Sequence, residues 1–203
     1  PTEYVLIRNC IERKGAGLIT CGSETSGGIR NILGYNLKAY GTSSVIRLKS
    51  AMTRGGIVEN IYMTDVEAEK TRFVLSADLN WNPSYSYSEL PAEYEGKEIP
   101  RHWEIMLTKV EPKEKGYPKF RNVYLSNVQA DKVSEFISTL GWNDSLRLEN
   151  FELSNIEASA SKAGKIIFTD GFKLKNIKLE TKDDRERILL RDNINMEIDI
   201  CYE

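Results

Sequence analysis

The feature that most constrains this chain is a motif that keeps returning. Ile29-Arg-Asn31-Ile-Leu-Gly-Tyr-Asn36-Leu37 is followed by Val58-Glu-Asn60-Ile-Tyr-Met-Thr-Asp65-Val66. Later come Phe120-Arg-Asn122-Val-Tyr-Leu-Ser-Asn127-Val128 and Leu148-Glu-Asn150-Phe-Glu-Leu-Ser-Asn155-Ile156. Ile7-Arg-Asn9-Cys10 and Leu174-Lys-Asn176-Ile177 read as shorter copies. The first Asn of each copy falls at 9, 31, 60, 122, 150 and 176, giving steps of 22, 29, 62, 28 and 26 residues. All but one step fit a single coil of chain, and the step of 62 leaves room for a coil plus an insertion. Apolar and polar residues alternate inside each copy, which is the pattern of a strand with one buried face.

A leucine-rich horseshoe would need Leu at fixed offsets and a helical half-repeat, and a sandwich would need hairpin turns every ~8–12 residues. Coils stacked on one another fit instead, because a coil cannot bury its inner face alone and is covered by its neighbours. The expectation is an all-β chain, a right-handed parallel β-helix of about six or seven coils forming one domain over 1–203. The recurrent Asn has a structural explanation: it tolerates the left-handed conformation of a tight corner, and its amide can bond its counterpart one coil away. The segment 78–117 breaks the repeat with Trp81, Tyr85, Tyr87, Tyr94, Trp103 and several prolines, and reads as a long loop excursion. Alternation returns in Ile194-Asn-Met-Glu-Ile-Asp-Ile200, expected to be a capping strand over about 194–201.

Twenty-eight basic residues against 30 acidic ones leave a net charge of -2, so neither a nucleic acid nor an anionic membrane is an expected partner. No apolar run approaches the ~18 residues of a membrane span. Three cysteines without metal-ligand spacing imply no zinc site, and Cys10 and Cys21 are expected to be buried small hydrophobes. His102 stands alone in the irregular segment, without a second ligand nearby in sequence, and reads as a surface histidine.

The stretch Gly15-Ala16-Gly17-Leu-Ile-Thr-Cys-Gly22-Ser-Glu24-Thr-Ser-Gly27-Gly28 resembles the segment of the family 28 glycoside hydrolases, the polygalacturonases, that runs from a Gly-His-Gly motif into a Gly-Ser-Glu-x-Ser-Gly-Gly turn. Ile46-Arg47-Leu48-Lys49 is similar to the family's Arg-Ile-Lys motif, and Arg54-Gly-Gly-Ile-Val-Glu-Asn60 to the coil after it. The resemblance runs to about Ala158, and the fold it implies is pectin lyase-like. Alternation on a strand agrees with it: Ile46 and Leu48 share the buried face, so Arg47 and Lys49 stand together outside. Such a pair suits the carboxylate of galacturonate, with Arg gripping it in two places and Lys adding a point charge.

The resemblance also implies what is lacking. Family members hydrolyse α-glycosidic bonds with inversion, using aspartates from motifs upstream of the Gly-His-Gly segment, and no acid of this chain sits in such a motif. The family's histidine position is Ala16. Inverting hydrolysis needs carboxyl groups ~6.5–9.5 Å apart across the bond, so no catalytic residue is assigned. The chain is expected to be a polygalacturonase-like protein that acts on or binds galacturonate-containing polysaccharide and is itself catalytically incomplete. The alternative is a non-catalytic pectin-binding or scaffold β-helix, which Ala16 favours. Arg47, Lys49, Glu24, Tyr85 and Tyr87 are the candidate substrate-binding residues, with Trp81 a further stacking candidate, and no cofactor or metal is expected. Family resemblance places the protein outside the cell or in the periplasm. The first coil, near Tyr4–Ile7, is expected to be covered by self-association or by a partner.

Overall fold

The computed structural model describes residues 1–83, 86 and 88–203. Twelve strands and one short helix follow in chain order: β1 (Thr2–Arg13), β2 (Ile19–Cys21), β3 (Ile29–Tyr40), β4 (Ser44–Lys49), β5 (Ile57–Glu69), β6 (Phe73–Asp78), α1 (Arg101–Leu107), β7 (Lys119–Leu140), β8 (Leu148–Ile167), β9 (Thr169–Asp170), β10 (Lys173–Thr181), β11 (Leu189–Arg191) and β12 (Glu197–Tyr202). Every named strand pairs in parallel with strands from neighbouring turns of the chain: β1 on β3, β3 on β5, β5 on β7, β7 on β8, β8 on β10 and β10 on β12. The result is an open, all-β, parallel architecture of stacked strands, as in a β-helix.

Register explains why these sequences form these strands. Ile32, Ile61, Val123 and Phe151 lie in one inward column, and Leu37, Val66, Val128, Ile156 and Ile177 in another. A third column runs Ala39, Ala68, Ala130 and Ala158 and is closed by Leu179 on β10. All of them are buried, and each large aliphatic removed from water contributes ~1.5–3 kcal/mol.

The corners between sheets are made by single residues of positive φ. Asn31, Asn60, Asn122 and Asn150 have φ between 53 and 57°, as do Asn36, Asn127 and Asn155 at the next corner (53, 54 and 53°). Their amides form two ladders. Asn60 donates to Asn31 Oδ1 at 3.0 Å, Asn122 to Asn60 at 3.0 Å, and Asn150 to Asn122 at 2.8 Å. In the second ladder Asn36 donates to Asn9 at 2.7 Å, Asn127 to Asp65 at 3.3 Å, Asn155 to Asn127 at 3.3 Å and Asn176 to Asn155 at 2.9 Å.

The two ladders correct the alignment of the short copies. Asn9 is the counterpart of Asn36, one coil of 27 residues away, and not of Asn31; Tyr4, with φ 57°, takes the corner opposite Asn31. Asn176 likewise answers Asn155. Both corners need the same left-handed residue, so Ile-Arg-Asn at one corner imitates Ile-Arg-Asn at the other.

The strand β6 ends at Asp78 and β7 begins at Lys119; between them, the described residues include α1 and the single-turn 3-10 segments Ala92–Tyr94 and Lys113–Gly116. The chain's final strand is β12, laid on β10. Cys21 is buried, and burial pushes its thiol up to about 12. Cys10 is exposed, contrary to expectation. It occupies the Leu37 column, but on β1, which pairs with β3 on one side and, among the described residues, is covered by no strand on the other. No helix among the described residues is long and apolar enough to cross a membrane.

Candidate functional site

Alternation on β4 sets the site. Ile46 and Leu48 are fully buried, while Arg47 and Lys49 are half-exposed on the outer face. Parallel pairing puts Arg47 between Thr20 of β2 and Ser76 of β6, and Lys49 beside Asp78. The segment of Gly15–Gly17 approaches the same strand: a Cβ on Gly17 would stand 3.7 Å from the Arg47 Cβ. Ala16 precedes Gly17 in this segment and carries a methyl group that can neither donate nor accept a proton.

Two turns build the walls. In the turn after β2, Ser23 and Thr25 are buried and Glu24 is exposed. Thr25 Oγ1 is 2.6 Å from Ser50 Oγ and donates to the Gly55 carbonyl at 2.7 Å, which ties this turn to the one after β4. In the turn after β6, Asp78 Oδ1 accepts the Asn80 N–H at 2.8 Å, a side-chain-capped turn of the kind aspartate favours. The chain is thereby led back over β4, where the Trp81 N–H reaches the Ser50 carbonyl at 3.1 Å. The Trp81 indole N–H donates to Ser23 Oγ at 2.9 Å.

The indole so anchored lies across both cations, with Lys49 Nζ 4.5 Å and Arg47 Cζ 5.5 Å from its ring centroid. The negative face of the ring offsets part of the repulsion between two like charges held side by side. Burial lowers the Lys49 ammonium from its ordinary value, the Arg47 charge adds to that, and the Glu24 carboxylate opposes it. Glu24 is thus close enough for its charge to be felt at Lys49. Asp78 shows the reverse: burial raises its carboxyl above the usual range, against the Asn80 hydrogen bond and the positive charge of Lys165.

Of the residues expected at a binding site, the structure brings Arg47, Lys49, Glu24 and Trp81 together. Tyr85 and Tyr87 lie outside the described residues. His102 is exposed on α1, 5.9 Å from the Trp103 ring, and no group of three or more His, Cys, Asp or Glu among the described residues is placed to hold a metal ion. Asp78 escaped the sequence reading, although laying Leu75-Ser76-Ala77-Asp78 on Ile46-Arg47-Leu48-Lys49 aligns it with Lys49.

Fold and site together define the class: a parallel β-stack carrying a paired-cation face roofed by an indole. Compared with known proteins, a stretch of 65 residues, 31% of the chain, is 40% identical to a probable polygalacturonase of Vitis vinifera. The match spans 13% of that protein's length, and no protein-family model matches the chain. The similarity is therefore partial, and it is to a polygalacturonase.

Proposed function

We propose that the protein is a polygalacturonase-like β-helix that takes galacturonate-containing polysaccharide on the Arg47–Lys49 face, and that the chain is catalytically incomplete. The observation that carries this reading is the arrangement of Arg47 and Lys49 side by side on β4 under the Trp81 indole. A guanidinium and an ammonium converging on one space suit a carboxylate, and an aromatic ring at its edge suits the apolar face of a sugar. Glu24 adds an acceptor for ring hydroxyls. The partial similarity to a polygalacturonase agrees with this ligand.

Two features favour binding over hydrolysis. Ala16, at the family's histidine position, cannot shuttle or hold a proton. Of the two carboxylates nearest them, Glu24 is exposed to solvent, and Asp78 Oδ1 is engaged by the Asn80 N–H. The deciding experiment incubates the purified chain with polygalacturonate and measures reducing ends, and in parallel measures affinity for digalacturonate by calorimetry. Binding without release, weakened about tenfold or more by Arg47→Ala, is the expected result. Release that Glu24→Gln abolishes would show a working hydrolase and end the claim of incompleteness. Absence of both would leave a scaffold. An extracellular or periplasmic setting accompanies this proposal.

A further inference from the structure

Register on the outer face extends the Arg47–Lys49 site well beyond β4. One outward column runs Thr20, Arg47, Ser76, Ser138, Lys165 and Leu189 across β2, β4, β6, β7, β8 and β11. The adjoining column runs Lys49, Asp78, Leu140, Ile167 and Arg191. Cations therefore stand at both ends of these columns, with two serine hydroxyls, the Asp78 carboxyl, the half-exposed Leu140 and the buried Ile167 between them. Arg47 and Lys165 are three strands apart, which is about 14 Å at ~4.8 Å per strand.

Lys165 is placed to serve that face. It is half-exposed, and its charge is felt by the Asp78 carboxyl two strands back toward Arg47, so its ammonium lies over the face. The turn after β7 carries Trp142, half-exposed, two residues beyond Leu140. It follows its strand much as Trp81 follows β6. In the excursion between β6 and β7, Ser86 Oγ accepts the Met52 N–H at 3.1 Å, and the Gly116 carbonyl accepts the Gly55 N–H at 2.7 Å. These contacts anchor it on the turn after β4.

Resting on the reading of Arg47 and Lys49 as a carboxylate site, we infer that Lys165 is a second carboxylate subsite of the same face. The ligand is then an acidic polysaccharide lying parallel to the stacking direction and spanning about four sugars, since one strand spacing of ~4.8 Å is close to the rise of one sugar and three spacings separate the two ends. Chain length becomes the specificity determinant. A single uronate meets only the Arg47 end, whereas a longer oligomer reaches both ends and gains from being held twice.

Calorimetric titration of the whole chain with galacturonate, digalacturonate and tetragalacturonate tests this. Tetragalacturonate is expected to bind at least about tenfold more tightly than the dimer. Lys165→Gln should erase that gain and leave dimer affinity unchanged, Lys165→Arg should keep most of it, and Lys162→Gln, an exposed lysine three residues away, should have no effect. Circular dichroism melts matching wild type exclude misfolding as the cause. Equal affinity for dimer and tetramer, or a tetramer gain that survives Lys165→Gln, would overturn the second subsite while leaving the first intact. Dimer binding indifferent to Arg47→Ala, or no binding of any uronate, would overturn both.

Discussion

The Asn corners and the excursion that bears Trp81 are held in place by different means. At the corners each residue repeats the job of its counterpart in the neighbouring coil: one left-handed φ, one amide donated, one accepted. The excursion has no counterpart in the neighbouring coils. Its position comes from individual bonds, among them Asp78 to the Asn80 N–H, Trp81 to Ser23 and Ser50, and the Thr53 hydroxyl to the Ser86 carbonyl. A periodic structure distributes stability over many equivalent contacts. An aperiodic one can aim a single indole at two cations. The site lies where the second kind of structure folds onto the first.

Substitutions in the two regions should therefore differ most in their effect on stability. Phe151 is fully buried in an inward column and stacks on Phe172 with ring centroids 5.6 Å apart. Phe151→Ala should cost about 3–5 kcal/mol in urea unfolding, whereas Trp103→Ala, within the excursion and tilted against Tyr94, should cost less than about 1 kcal/mol. Comparable losses at the two positions would mean that the excursion is part of the cooperative core. Next in size is Asn122→Ala, which deletes the bonds to Asn60 and from Asn150 and forces alanine into a φ of 56°. It should cost about 2 kcal/mol. Asn122→Gly accepts the same φ freely, so the difference between the two variants separates backbone strain from the lost amide ladder.

How far each region could be read from the sequence follows from the same contrast. The strands were legible because burial imposes alternation, and Ile46 and Leu48 inward with Arg47 and Lys49 outward needed nothing more. The Asn corners were legible as corners, but not which corner was which, since Asn9 and Asn31 satisfy the same backbone demand. Cys10 misled because its column is apolar elsewhere, and only the pairing of β1 reveals that one side of it is uncovered. Trp81 was one aromatic among several in the excursion, and its roof over the cations depends on the Asn80 turn and the Ser23 bond, neither of which leaves a periodic trace. Lys165 lies about 120 residues from Arg47 along the chain, and only strand register makes them neighbours in one column.

A smaller effect of opposite sign is expected where the second ladder is interrupted. Each Asn there donates its amide to the preceding oxygen, but Asp65 has no amide to give. It accepts from Asn127 at 3.3 Å, and it has no amide to donate to Asn36. Asp65→Asn supplies the missing donor, keeps the acceptor for Asn127 and suits the φ of 57°. It should stabilise the protein by about 0.5–1.5 kcal/mol. A neutral or destabilising result would show that Lys38 or solvent already satisfies Asn36, and that the ladder is less cooperative than its regularity implies.

The subtlest test lies at the junction of the two regions. Asp78 ends a periodic strand and opens the excursion, and burial raises its carboxyl above the ordinary aspartate range. The folded protein therefore keeps that proton to a higher pH than the unfolded chain does. Over the window between the two values the unfolded state binds fewer protons, so this group's contribution to stability is present at low pH and is lost as pH rises through the folded value. Asp78→Asn removes the titration while retaining an oxygen to accept the Asn80 N–H. Urea midpoints measured from about pH 3 to pH 7 should show the variant gaining on wild type as pH rises, with the turn that positions Trp81 intact. If the variant instead loses stability at neutral pH, the ionised carboxylate is needed there. The partner to examine first is then Lys165, which would make the Arg47 and Lys165 ends of the face one coupled charge network rather than two separate subsites.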